Sequence, residues 1–238
     1  MHCLTTTRSL ASALAGALLL AFTAGPSAGE GAMEADGYLR DYTRINLKAV
    51  DPVYDDADPA SNAGDLMTFY ASQEVDRLVF WVTTYGVGGP ETFLREGESI
   101  YVLLDYAPGG TMDLPGVGHR VPLMWDLAVV AESGHRGEVT ASVHRPGDGG
   151  RDDGTLRGSA VDRATRSLEL SLNLPEDWKA AVCEAAGLPR SMYDSIAPAA
   201  ALGEATPVTY RVVSVVDGAI RDELEATNEP RRGDHNVA

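Results

Sequence analysis

Residues 77 to 85 read RLVFWVTTY and residues 99 to 106 read SIYVLLDY, and these two runs decide the fold. Both are rich in the β-branched and aromatic residues that strands favour. Because successive side chains of a strand point to opposite faces, Leu78 and Phe80 share one face and Trp81 lies on the other. Since both faces of each run are apolar, the two runs are typical of central strands in a β-protein.

The same pattern recurs along the chain, where short apolar or alternating runs are separated by turns such as GVGGP and APGG. The other predicted strands are residues 65 to 72, 121 to 132, 137 to 145, 155 to 162, 166 to 174 and 207 to 217, with an earlier one within RINLKAVD. Eight or nine strands without alternating helices predict an all-β fold. Its expected form is an antiparallel β-sandwich of jelly-roll or immunoglobulin-like type.

One short helix is predicted at residues 175 to 187, PEDWKAAVCEAAG. A proline at the start and a glycine at the end are typical helix boundaries, and two acidic residues follow the proline. Trp178, Val182 and Ala185 are spaced so that they share one helix face. We therefore expect this helix to pack its tryptophan against the sandwich.

The two ends of the chain differ in composition from the middle. Residues 1 to 29 have the layout of a secretory signal peptide, because Arg8 precedes a thirteen-residue apolar run that is followed by small residues. Residues 34 to 225 are predicted to form the β-sandwich domain, and residues 226 to 238 a disordered tail. No cysteine stands directly after the apolar run as a site for a lipid anchor, so we expect a secreted protein, extracellular or periplasmic, without a membrane anchor.

The charge balance excludes two classes of partner. The full chain has a formal net charge of −16, and removal of residues 1 to 29 leaves 18 basic against 35 acidic residues, or −17. Such a chain is repelled by nucleic acid and by anionic membrane surfaces. It suits a soluble extracellular protein or one that binds divalent cations. Cys183 would be the single cysteine of the exported chain, so no intramolecular disulfide is predicted.

Several aspartates lie close together in the sequence before the first long strand. A flexible loop rich in carboxylates can supply the six to eight oxygen ligands that calcium prefers, although the spacing here does not match an EF-hand. The predicted calcium ligands are Asp51, Asp55, Asp56, Asp58 and Asp65. The alternative is a solvated acidic turn with no ion, because aspartate, proline, serine and glycine are common in exposed turns.

The aromatic residues of the central strands suggest a ligand site. Alternation places Trp81 and Tyr85 on one face of the first run and Tyr101 and Asp105 on one face of the second. Exposed together, these aromatic rings would form a platform for a flat sugar face, with Asp105 as a hydrogen-bonding group. The alternative is that the same side chains are buried beneath the helix or long loops.

Several short signatures of the chain resemble a known group of modules. Their order is Asp51-Pro52, Asp55-Asp56, Gly64-Asp65-Leu66, RLVFWV, YVLLD, LELSLNLP and YRVVSVVD. This order is similar to that of secreted bacterial β-sandwich modules of the DOMON-like type, which include family 9 carbohydrate-binding modules and the C-terminal module of glucodextranase-like enzymes. The resemblance covers roughly residues 36 to 225. It implies a β-sandwich fold, and members of this group bind sugars, haem or calcium, or have no known ligand.

No nucleophile elbow, zinc-protease motif, phosphate loop or dinucleotide fingerprint is present in the sequence. The sequence therefore favours a secreted non-catalytic module that binds a polysaccharide, an oligosaccharide or another extracellular ligand, with a possible structural calcium ion. Two alternatives stay open: a secreted glycan-active hydrolase, and a scaffold or surface-interaction protein without a small ligand.

Overall fold

The computed structural model describes residues 35–36, 46–51, 64–85, 94, 96–134, 138–147, 155–163, 165–195 and 208–227. The chain divides into two compact units, Met1–Ala32 and Met33–Ala238, and all described residues belong to the second. The predicted signal peptide lies outside the described residues. Among the helices that are described, none has the length and apolar character needed to cross a membrane.

Two five-stranded antiparallel sheets form the domain, which confirms the predicted all-β sandwich. The first sheet has the order β1-β2-β3-β10-β9, and the second has the order β12-β11-β4-β7-β8. The strands are β1 Leu47–Val50, β2 Leu66–Gln73, β3 Arg77–Thr84, β4 Glu98–Asp105, β5 Thr111–Asp113, β6 Arg120–Trp125, β7 Leu127–Ser133, β8 Val139–His144, β9 Leu156–Asp162, β10 Ser167–Asn173, β11 Thr209–Val216 and β12 Ala219–Thr227.

The main core lies between the two sheets and follows the predicted alternation. Leu78, Phe80 and Val82 of β3 point inward, where they meet residues such as Val102 and Leu104 of β4. Apolar surface removed from water contributes about 25 cal/mol per Å², so this shared layer is the principal stabilising element of the fold. It lets the domain form without a disulfide, since the described cysteine is a free, buried thiol.

A second apolar cluster lies on the outer face of the second sheet. There the small β5–β6 hairpin covers the sheet with Leu114, Val121, Leu123 and Trp125. Beneath the hairpin lie Tyr101, Leu103, Ala128, Val130, Val213 and Val215. This cover explains how β4 is apolar on both faces, because neither face meets water.

The predicted helix is present as α1, Glu176–Ala185, and a short 3-10 helix follows at Arg190–Met192. Trp178 is fully buried in the core between the sheets, as expected, and its Nε1–H donates to Gln73 Oε1 at 3.2 Å. Val182 is buried beside it, but Ala185 is exposed and Cys183 is buried instead.

The structure corrects two predictions about strands. The run from 121 to 132 is two strands, because the chain leaves the β5–β6 hairpin at Asp126 and enters the second sheet as β7. No strand was predicted after residue 217, but β12 pairs with β11 along its length and extends to Thr227, two residues into the segment predicted as a tail. A turn with positive φ at Asp217 and Gly218 makes this hairpin.

Candidate functional site

Three carboxylates converge where the edges of the two sheets meet. Asp51 follows β1, Asp65 precedes β2, and Asp222 lies in β12 of the other sheet. One carboxylate oxygen from each lies within 4.8 Å of the others. We call Asp51, Asp65 and Asp222 the acidic cluster. It contains two of the five predicted calcium ligands; the other three, Asp55, Asp56 and Asp58, lie outside the described residues.

Backbone hydrogen bonds hold the acidic cluster in place. The Asp51 N–H donates to Met67 O at 2.9 Å, and the Tyr85 N–H donates to Asp65 O at 2.7 Å. The Asp222 carboxylate accepts from the Leu66 N–H at 2.7 Å, which ties the start of β2 to the opposite sheet. Asp65 is fully buried. The cluster is therefore part of the framework and not an exposed turn.

Gly64 allows the close approach of the two sheets at this point. Its φ is +84°, a conformation that favours glycine, and an added Cβ would lie 2.8 Å from Val216 Cγ2. The same Cβ would lie 3.0 Å from the Oγ of Ser214, which is opposite Asp222 in the β11–β12 pair. Ser214 Oγ is buried and has no hydrogen-bond partner among the described atoms. Because Ser214 lies directly opposite Asp222, its buried hydroxyl is on the same face of the sheet as that carboxylate.

The chemistry of these groups fits a hard divalent cation. Calcium binds carboxylate, carbonyl and hydroxyl oxygens, and three carboxylates that approach this closely repel one another unless a positive charge lies among them. Asp222 was not found by sequence reasoning, because it lies far along the chain in a strand that the sequence analysis did not predict. Its only local signal was the Asp217-Gly218 turn, which predicts a hairpin.

A small pocket opens at the other end of β12. It has a volume of about 250 Å³ and is lined by Asp105, Tyr106, Ala107, Pro108, Val208, Thr209 and Thr227. We call it the Asp105 pocket. Asp222 and Thr227 are five positions apart on one strand, so the acidic cluster and the pocket are separated by about 17 Å. Asp105 is the one predicted ligand-binding residue that lines this pocket.

The carboxylate of Asp126 shapes the floor beside Asp105. It accepts hydrogen bonds from the backbone N–H groups of Tyr106 at 2.9 Å and of Ala107 at 2.8 Å. These bonds hold the chain in a turn directly after β4. Burial, and then the nearby charge of Asp126, raise the pKa of Asp105 above its usual range.

Behind the pocket, Tyr106 is fixed by α1. Its hydroxyl donates to Asp177 at 2.9 Å, and its ring lies 4.8 Å from the ring of Trp178. Arg145 also donates to Asp177, at 2.6 Å. Burial and the charge of Asp177 raise the pKa of the Tyr106 hydroxyl well above its usual range, so it stays protonated. The Tyr106 side of the pocket is therefore held by α1, and Tyr106 itself carries no charge.

The structure does not bring the predicted aromatic platform together. Trp81 lies on the outer face of the first sheet and is buried, with 1% of its surface exposed. Tyr101 lies under the β5–β6 hairpin of the second sheet and is also buried; its hydroxyl donates to Pro115 O. Tyr85 is half-buried beside Asp65. The expected alternation is correct, and of the two alternatives for Trp81 and Tyr101 the structure shows burial and not an exposed platform.

Comparison of the chain with protein-family models finds no matching family, and comparison with curated proteins finds no matching relative. The acidic cluster and the Asp105 pocket are the two features of the described residues that bear on function.

Proposed function

We propose that the protein is an exported, non-catalytic β-sandwich module that holds a structural calcium ion and binds carbohydrate. The observation that carries this proposal is the convergence of Asp51, Asp65 and Asp222 from two sheets, with Asp65 fully buried. An ion held there would join the β1–β2 edge to β12. Export is supported by the signal-like residues 1 to 29.

The carbohydrate part of the proposal is supported by the Asp105 pocket. Its volume suits a ligand about the size of one sugar ring, smaller than the usual site for a drug-sized molecule. A carboxylate and two threonine hydroxyls can hydrogen-bond the hydroxyl groups of a sugar. The apolar atoms of Pro108 and Val208 can contact the ring itself.

A glycan hydrolase is less well supported by the same pocket. Hydrolysis needs two carboxyl groups on either side of the scissile bond. Among the described residues that line the pocket, Asp105 is the single carboxylate. The neighbouring Asp126 is engaged by two backbone N–H groups, which suits a structural role.

Titration calorimetry on chelator-treated protein tests the calcium part. We expect calcium to bind wild-type protein with one site, and Asp65→Asn to abolish this heat. Ser214→Ala should weaken the affinity, because Ser214 lies directly opposite Asp222 in the β11–β12 pair. Ser171→Ala is the matched control, because Ser171 is also a buried serine whose Oγ has no hydrogen-bond partner among the described atoms. Absence of calcium binding to the wild type would overturn this part.

A retention screen on immobilised polysaccharides and oligosaccharides tests the carbohydrate part. We expect at least one glycan to retain the wild type, and Asp105→Asn to lose that retention. Trp81→Ala is not a useful probe, because truncating a buried tryptophan would destabilise the fold. If no glycan retains the protein, the carbohydrate proposal fails, whatever the calcium result.

A further inference from the structure

The Asp105 pocket presents a row of oxygen atoms from three neighbouring strands. Thr209 pairs with Asp105 across β11 and β4, and it pairs with Thr227 across β11 and β12. Residues directly opposite one another in a sheet point to the same face. The carboxylate and the two hydroxyls therefore lie side by side at the end of the second sheet.

These oxygen atoms are available to a ligand. The side chains of Asp105, Thr209 and Thr227 make no hydrogen bond or ion pair with any other described residue. Asp105 and Thr209 are half-buried, and Thr227 is exposed, so each can be reached from solvent. The opposite wall is apolar, formed by Ala107, Pro108 and Val208.

The negative charge near the pocket favours a ligand that carries a positive charge. No lysine or arginine is among the described residues that line it, and the carboxylate of Asp126 lies close behind Asp105. Asp126 cannot move away, because two backbone N–H groups hold it. Two neighbouring carboxylates in a partly desolvated site repel each other. A cationic group of a ligand in contact with Asp105 relieves that repulsion.

We propose that the Asp105 pocket binds an amino sugar with a free ammonium group, which pairs with Asp105 while ring hydroxyls bond to Thr209 and Thr227. This inference rests on the carbohydrate part of the proposed function and names the class of sugar. The negative charge of Asp126, which after burial is the second cause of the raised pKa of Asp105, also attracts a cationic group to this position.

Three monosaccharides and one amine separate the possible outcomes. D-glucosamine carries the ammonium group, D-glucose has a hydroxyl in its place, and N-acetylglucosamine has a neutral amide. Ethanolamine carries an ammonium group without a ring. Binding of each is measured by ligand-observed NMR or calorimetry at low ionic strength, because salt screens a half-exposed ion pair. The pH is chosen so that both the amine and the Asp105 carboxyl are charged.

We expect D-glucosamine to bind about tenfold more tightly than D-glucose, since a hydrogen bond to a charged group is stronger than one between neutral groups. Asp105→Asn should remove this preference. The control Glu138→Gln also removes one negative charge, at an exposed position in the β7–β8 connection, and should preserve the preference for D-glucosamine. Circular dichroism of both variants checks that they fold.

Each other result has a defined meaning. Equal binding of D-glucose and D-glucosamine would overturn the amino-sugar inference and leave the carbohydrate proposal intact. Equal binding of ethanolamine and D-glucosamine would also overturn it, since the ring would then contribute nothing. If none of the four compounds binds, the pocket is not a sugar site and this inference fails, while glycan retention in the separate screen decides the carbohydrate proposal.

Discussion

The two ends of β12 use aspartates in opposite ways. At the acidic cluster, three carboxylates from two sheets come together, and one of them, Asp65, is fully buried. At the Asp105 pocket, Asp126 is satisfied by backbone N–H groups, and Asp105 is left facing the pocket. A carboxylate that is bonded to the backbone stabilises a turn. Carboxylates that converge from two sheets, as Asp51, Asp65 and Asp222 do, place several possible metal ligands at one point.

The strongest test of this contrast is Asp126→Ala. It removes the acceptor of the Tyr106 and Ala107 N–H groups, and each partly buried unsatisfied donor costs about 1–3 kcal/mol. We expect the free energy of unfolding to fall by about 3 kcal/mol. Urea denaturation with and without chelator measures it. The loss of unfolding free energy should be the same with and without chelator. A loss that depends on calcium would show that the acidic cluster and the Asp105 pocket are not independent.

Calcium should stabilise the protein only through the acidic cluster. With calcium at about a hundredfold excess over Kd, the free energy of unfolding should rise by about 2.7 kcal/mol. Thermal melts of wild type and of Asp65→Asn, each with calcium and with chelator, provide the measurement. Asp113→Asn, an exposed aspartate on β5, is the charge-matched control. An unchanged midpoint in the wild type would reduce the acidic cluster to a structural feature without an ion.

Tyr106→Phe tests the wall behind the pocket. The substitution keeps the ring against Trp178 and removes the hydrogen bond to Asp177. A net loss of about 1 kcal/mol is expected, the usual contribution of one hydrogen bond. Urea denaturation detects it, and calcium should leave this loss unaltered. A change in calcium affinity would show that the two ends are coupled.

Asp105→Asn should have the smallest effect on stability. Unlike Asp126→Ala and Tyr106→Phe, it should stabilise the protein at neutral pH. The pKa of Asp105 is raised in the folded protein, so the folded state binds more protons than the unfolded state in the window between the two pKa values. Stability contributed by this group therefore falls as the pH rises through that window. Melting temperatures across acidic to neutral pH should show a slightly more stable variant at neutral pH and no difference at low pH.

Much of the fold was predictable because it depends on local pattern. The alternation in RLVFWVTTY correctly placed Phe80 inward and Trp81 outward. The pattern could not show what covers the outer faces, so it left open whether Trp81 and Tyr101 form an exposed platform or are buried. For Tyr101 the cover is the β5–β6 hairpin, which arises because the chain turns at Asp126 inside a run that reads as one continuous strand.

The candidate site was predictable only in part, for a similar reason. Asp51 and Asp65 lie at the ends of neighbouring strands, so their common loop made them visible in the sequence. Asp222 joins them from a strand 156 residues beyond Leu66, with which it shares a hydrogen bond. That contact depends on the packing of two sheet edges, which no short sequence pattern records.

The β11–β12 turn has a consequence for how this chain can tolerate insertions and deletions. Positive φ at Asp217 and Gly218 fixes the length of the turn, and an irregularity between Ser214 and Val215 then sets the pairing. Adding or deleting one residue between the turn and Asp222 would turn every later side chain of β12 to the opposite face. Asp222 would leave the acidic cluster and Thr227 would leave the pocket in the same event. Length variation is therefore expected to be tolerated in the segment after Thr227 far better than in this hairpin.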